Sequence, residues 1–191
     1  MPGSIELWFA TSNGHKFDEA RVALEPYGVV LRRLPSKGTE VQSDDLAAIA
    51  SRAAAEVHAK AGRPVIAEDA GLFVSALGGF PGPYSAYAYR TLGCRGLLKL
   101  MAGEESREAE FVSAVALAAG GGRTRTFTGR LAGSILAEAR GARGFGFDPI
   151  FVPRGGTRTL AELTLRQKAA LSHRSRALAA LGAWLGSHPL G

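Results

Sequence analysis

At 191 residues, 46% of them apolar, the chain is long enough for one domain with a substantial core, and no run of about 18 apolar residues offers a membrane span. The single Cys94 has no partner for an internal disulfide, and the start, MPGSIELWFATSN, lacks a basic segment leading into an apolar one; both features predict a cytoplasmic protein. The net charge of +6 favours an anionic partner, but the basic residues are scattered and aromatics are only 8%, which disfavours nucleic acid.

The apolar run 5–9 predicts a first strand. The polar turn TSNGHK follows, and Phe17, Ala20, Leu24 and Tyr27 then recur at helical spacing. A second strand is expected over about 29–33. Ser43 is a good helix N-cap with Asp44 and Asp45 in the first turn, and Leu46, Ile49, Ala53 and Val57 mark the helix. Residues 65–67 read as a third strand, buried because its apolar character is continuous. A helical stretch is expected at 94–101. Residues 108–119 and 124–136 read as two longer strands around a GGGR turn, and a last helix carries Leu171, Leu178, Leu181 and Leu185 on one face. Strand–helix units, then a hairpin, then a closing helix predict an α/β or α+β fold on a mixed sheet, with a single domain over residues 1–191.

Six stretches carry candidate chemistry. In FATSNGHKF a strand enters a small polar turn and then a helix. Thr11, Ser12 and Asn13 can cap that helix, its free N–H groups suit phosphate, and Lys16 adds charge one turn in. An ordinary cap with a solvated lysine is the plain alternative. In PVIAEDAGLFV, Glu68 and Asp69 are expected at the carboxyl end of a buried strand, where ligands of α/β sheets bind. Two adjacent acids repel unless a cation lies between them, and Mg²⁺ takes oxygen ligands. Gly71 lets the chain turn or a ligand approach. Glu40, in a polar loop, could reach the same metal or be only a loop acid. In GGFPGPYSAYAYR, Tyr84 and Tyr87 offer faces to a base, or the loop is structural. In RGFGFDPIFVP, Phe147 could stack on a flat ligand and Asp148 accept from its ring N–H groups, or the aromatics pack inward. In RQKAALSHRSRAL, Lys168, His173 and Arg174 gather where the last helix begins; cations there oppose the macrodipole unless an anion joins them.

Taken in order, Thr11-x-Asn13-x-x-Lys16, Glu68-Asp69-x-Gly71-Leu72, Leu77-Gly78-Gly79-x-Pro81-Gly82-Pro83-Tyr84, Phe145-Gly146-Phe147-Asp148-Pro149 and Ser172-His173-Arg174 resemble the inosine triphosphate pyrophosphatase family over nearly the whole chain. The resemblance implies an elongated, mixed twisted sheet with flanking helices, forming two lobes around a central cleft. It implies Mg²⁺-dependent hydrolysis of non-standard purine nucleoside triphosphates (ITP, dITP, XTP) to monophosphate and pyrophosphate, by a homodimer. By the same resemblance Thr11, Ser12, Asn13, Gly14, His15 and Lys16 would hold the triphosphate, with Arg52 and Ala70 in the substrate site. Glu40 and Asp69, with Glu68, would serve the metal, and Asp69 would accept the proton of the attacking water. Phe145, Gly146, Phe147, Asp148, Lys168, His173 and Arg174 would recognise base and phosphates. The chain departs from the pattern at Ala86 and Tyr87, where relatives carry lysine or arginine, at Arg52 for lysine, and at Ala70 for serine or threonine. The first departure leaves two other readings open: turnover of modified pyrimidine triphosphates, or nucleotide or nucleic-acid binding without turnover.

Overall fold

The first apolar run forms β1 (Ile5–Ala10) in the computed structural model, which describes residues 5–36, 38, 39, 41–120, 122–188 and 190. It runs into α1 (Gly14–Leu24), where the Asn13 side chain caps the helix by accepting from the Lys16 amide at 3.2 Å. Tyr27 falls outside α1. Pro26, with no N–H to donate, turns the chain into a 3-10 segment, Glu25–Tyr27, before β2 (Val29–Leu34).

The cap of α2 (Leu46–Ala61) is Asp45, two residues after the expected Ser43. Asp45 Oδ1 accepts from the Ala47 amide at 2.8 Å, and Ser43 instead accepts from the Asp45 amide. The larger difference is β3 (Val65–Val74). It does not end at the acid pair: Glu68 and Asp69 stand in its middle. Gly71 is extended strand and turns nothing. A Cβ there would lie 2.2 Å from the Gly82 carbonyl oxygen, so Gly71 is the position that lets β4 (Pro81–Gly82) close against β3.

Helix α3 (Ser85–Leu100) begins nine residues before the expected 94–101 stretch and is broken at Gly93 (φ 63°, ψ −173°); the expected stretch is its second half. The hairpin is β5 (Glu108–Ala118) and β6 (Thr124–Ile135), followed by β7 (Phe151–Pro153), α4 (Leu165–Ala169) and α5 (His173–Ser187), capped by Ser172. Leu171 lies outside α5 and packs from the connection before it.

The sheet order is β2-β1-β3-β5-β6-β7, with β4 also on β3. β1 is parallel to β2 and β3; the remaining pairs are antiparallel. One face is covered by α1 and α5 through Leu24, Ile66, Val115 and Leu178, the other by α2 through Ala50, Ala54, Ala67 and Ala114. A third cluster, around Leu72, Leu97, Phe147 and Phe151, fills the end of the sheet under α3. On one side of β3, β1 pairs only as far as Ile66 and β4 joins only at Leu72. The edge from 68 to 71 between them is open, and the cleft forms at this gap.

Candidate active site

Neighbouring side chains of a strand point to opposite faces, so the two acids of β3 part company. Glu68 shares the face of Ile66 and meets α1 and α5. Asp69 shares the face of Ala67, toward α2.

Glu68 is enclosed. Its Oε1 accepts from Ser113 Oγ at 2.7 Å and from Arg174 Nε at 3.0 Å, and its Oε2 meets Lys16 Nζ at 2.9 Å. Lys16 Nζ also reaches the Glu68 carbonyl oxygen at 3.4 Å, on the open edge of β3. Beyond Arg174 the pairing continues. Arg174 Nη1 donates to Glu19, Glu19 Oε1 meets Lys168 Nζ at 2.7 Å, and Lys168 bonds Asp148, which also accepts from the Phe145 amide at 2.9 Å. Lys16, Glu68, Arg174, Glu19, Lys168 and Asp148 thus form one chain of alternating charge, and Arg174 is only 2% exposed. Lys168 and Arg174, the cations beside the start of α5, are therefore answered by three buried carboxylates, Glu68, Glu19 and Asp148.

The charge states follow from these contacts. Burial would push Glu68 and Glu19 up, but Arg174 with Lys16 for Glu68, and with Lys168 for Glu19, more than offsets it and holds both below the usual carboxylate range. At Asp148 burial wins, and its pKa lies above the ordinary value although Lys168 and the Phe145 amide oppose the rise. His173 is pushed well below its ordinary value by burial and then by Arg174, so its ring is neutral. That ring stacks on Phe111 (centroids 4.7 Å apart, 11° between planes), and its Nδ1 has no hydrogen-bond partner among the described residues.

Two cavities meet here. The larger, about 340 Å³, lies among Phe145, Phe111, His173, Arg174, Lys168 and Asp148: two aromatic rings, a neutral imidazole and fixed charges, a lining suited to a flat polar ring. The smaller, about 170 Å³, lies between the Thr11–Lys16 turn and α2. Asn13, Lys16, Asp69 and Ala86 line both. Arg33, on β2, holds the turn from behind by donating to the carbonyls of Thr11 (3.3 Å) and Ser12.

Most expected residues come together at this seam. Thr11, Asn13, Lys16, Asp69, Ala70, Phe145, Gly146, Phe147, Asp148, Lys168, His173 and Arg174 line one cavity or both. Ser12 and Gly14 belong to the turn without lining either. His15 is exposed and stacks on Phe145 at 5.5 Å. Arg52 is exposed on α2 and lines neither, although the next residue, Ala53, does. Glu40 lies outside the described residues; its neighbour Thr39 lines the smaller cavity. Tyr84 and Tyr87 line neither, and the Arg90 guanidinium sits over Tyr87 at 5.5 Å.

Five participants have no role in the sequence reading: Glu19, Ser113, Arg33, and Phe111 and Tyr89, which both line the larger cavity. Glu19 had a signal, since it follows Lys16 by three on a helix and so shares its face. Ser113 interrupts the apolar run 111–118 of β5. Phe111 and Tyr89 look like any core aromatic.

The chain has relatives among known proteins. The model of the Ham1 family matches residues 7–184. The chain belongs to the Ham1 family. Among its curated Ham1-like relatives, the dITP/XTP pyrophosphatase of Methanopyrus kandleri is 46% identical over 98% of this chain and 100% of its own length. That of Hyperthermus butylicus is 47% identical over 94% of each. Of solved structures, a HAM1 protein from Coxiella burnetii superposes with a TM-score of 0.83 at 28% identity, covering 96% of this chain and 99% of its own. The nucleoside-triphosphatase / dITP/XTP pyrophosphatase from Mycobacterium abscessus gives 0.72 at 38%, covering 93% and 97%.

The donor set can be tested against a divalent cation. Among the described residues no three His, Cys, Asp or Glu side chains gather as a metal cage. Glu68 borders the smaller cavity and is bound to Lys16, Arg174 and Ser113; Asp69 borders both cavities. One carboxylate bordering a cavity lined by Thr11, Asn13 and Lys16 fits the chemistry of Mg²⁺, which keeps several waters and is usually held by one or two carboxylates together with substrate phosphates.

Proposed function

We propose that this protein hydrolyses non-standard purine nucleoside triphosphates (ITP, dITP, XTP) to the monophosphate and pyrophosphate, with Mg²⁺, as a homodimer in the cytoplasm. The observation that carries this reading is the junction of the two cavities at Asp69 and Lys16, in a family whose relatives include dITP/XTP pyrophosphatases. The match over residues 7–184 supports a single catalytic domain.

The larger cavity takes the base, between Phe145 and the His173 face, with Asp148, Lys168 and Arg174 as fixed polar partners. The smaller takes the phosphates, against the free amides at the start of α1 and Lys16. Asp69 and Glu40 would hold Mg²⁺, which when bound offsets phosphate charge and makes water more acidic. Asp69 orients the attacking water toward the α-phosphorus and accepts its proton, and pyrophosphate departs toward Lys16. Glu68 acts behind Lys16, fixing its ammonium beside the phosphates. Positioning and charge neutralisation carry most of the rate.

Exposed Tyr84, Tyr87 and Leu92, with Tyr87 61% exposed, give α3 an apolar outer face that supports pairing of two copies. The deciding measurement is pyrophosphate release from ITP, dITP, XTP, the common triphosphates and modified pyrimidine triphosphates in Mg²⁺. Turnover of the three purines is expected, and Asp69→Asn should abolish it. A clear preference for pyrimidine triphosphates, or no turnover of any substrate, would overturn the assignment.

A further inference from the structure

The cleft leaves unexplained the basic character of the chain beyond residue 119. Residues 120–191 hold eleven Lys and Arg against three Asp and Glu. Lys168 and Arg174 are buried in the cleft network; the other nine are exposed arginines. Three of these, Arg154, Arg158 and Arg176, line a separate cavity of about 410 Å³. Arg174 and Arg176 are two residues apart on α5, so they leave the helix on nearly opposite sides, one to the cleft and one to this cavity.

The cavity has an apolar floor, Leu131 and Leu163, and a rim formed by the Gly155–Gly156 turn after β7. Among the described residues no acid lines it. The nearest acids leave its charge standing. Glu108 is 3.9 Å from Arg154, with both groups more than two thirds exposed, and such a pair is heavily screened. Glu162 is held by the Thr159 amide at 2.7 Å and faces Arg140 as well as Arg158. Arg176 is fixed in direction, since its Nη1 donates to the Arg130 carbonyl at 2.7 Å. Three arginines lining one concave space with no acid among the lining residues favour an anion between them.

We propose that this cavity is a second anion site, which takes the phosphate groups of a small di- or triphosphate. Arginine forks match phosphate oxygens in pairs. An open concave space of this size suits a compact anion, whereas a nucleic-acid backbone needs an extended stripe of cations.

The test is calorimetric titration of the full-length protein with inorganic pyrophosphate in metal-free buffer, which reads binding without turnover and so stands apart from the proposed hydrolysis. Wild type should show two sites. Lys16→Ala should lose the cleft site and keep the second. Arg154→Ser/Arg158→Ser should keep the cleft site, the fold by thermal unfolding and the basal activity, and bind at the second site at least about tenfold more weakly. A single site in wild type, or unchanged stoichiometry and affinity in the arginine double variant, overturns the proposal. So does a parallel titration in which the double variant weakens a single-stranded oligonucleotide but not pyrophosphate.

Discussion

Glu68 and Asp69 are adjacent in the chain and opposite in role because a strand alternates its faces. The composition of the stretch announces unusual acids; which acid meets which partner is not legible in it, because that depends on side chains 45 to 106 residues away in sequence. Glu68 is now the counter-ion of Lys16 and Arg174. Glu68→Gln would leave Arg174 with one buried partner in place of two, so urea unfolding should show a loss of about 3 kcal/mol. His173 sets a pH dependence. Its native pKa lies far below 6.5 because burial and then Arg174, Lys168 and Lys16 disfavour its charge, and Glu68 only partly compensates. Below pH 6.5 the unfolded chain takes up a proton that the native ring refuses, so stability falls as pH falls, by about 1.4 kcal/mol per pH unit for this one group. Unfolding curves at pH 7 and pH 5.5 should show this loss in wild type and a flatter response in His173→Gln. The motif residues of the site were readable because their types are chemically loud. Glu19 and Ser113, which fix them, were not, because each is unremarkable until its partner is known.

The elements were legible where one face alone decided their pattern. The hairpin and the closing helix came through as alternation and helical spacing, and α2 was displaced only at its cap. β3 was cut short because an acid pair reads as an end. The pair sits mid-strand because β1 and β4 leave a gap there, where Lys16 reaches the open edge, and because Lys16 and Arg174 neutralise Glu68. The first half of α3 is masked in sequence because Gly and Pro crowd the approach to it. The seating of α5 is tighter than its sequence suggests. A Cβ on Gly129 of β6 would lie 2.0 Å from the His173 carbonyl oxygen and 2.5 Å from the Ala177 amide nitrogen. Gly129→Ala should therefore push the start of α5, with His173 and Arg174, off the sheet. The expected cost is about 2 kcal/mol in unfolding together with a loss of turnover. Gly186→Ala on the same helix meets nothing within 4 Å and should leave both unchanged or slightly improve stability.

Across the whole molecule, one sheet carries three clusters of apolar side chains, and the cleft lies where they adjoin rather than in a loop region apart from them. The fold class followed from the order of strand and helix signals; the strand order did not, because it is set by crossovers that no local pattern encodes. The gap in β3 has a kinetic side. Glu68 and Asp69 are borne by the strand that joins the parallel and antiparallel halves of the sheet, and their neighbours across the ladder, Val115 and Ala114, lie in the equally central β5. The backbone beneath the chemistry is then among the last to open, while the turn at Thr11 to Lys16 and the segment bearing Phe145 are free to adjust around the substrate. Deuterium uptake should be slowest along β5 and at the β3 amides that bond to it, and substrate should slow it at residues 11–16 and 143–148.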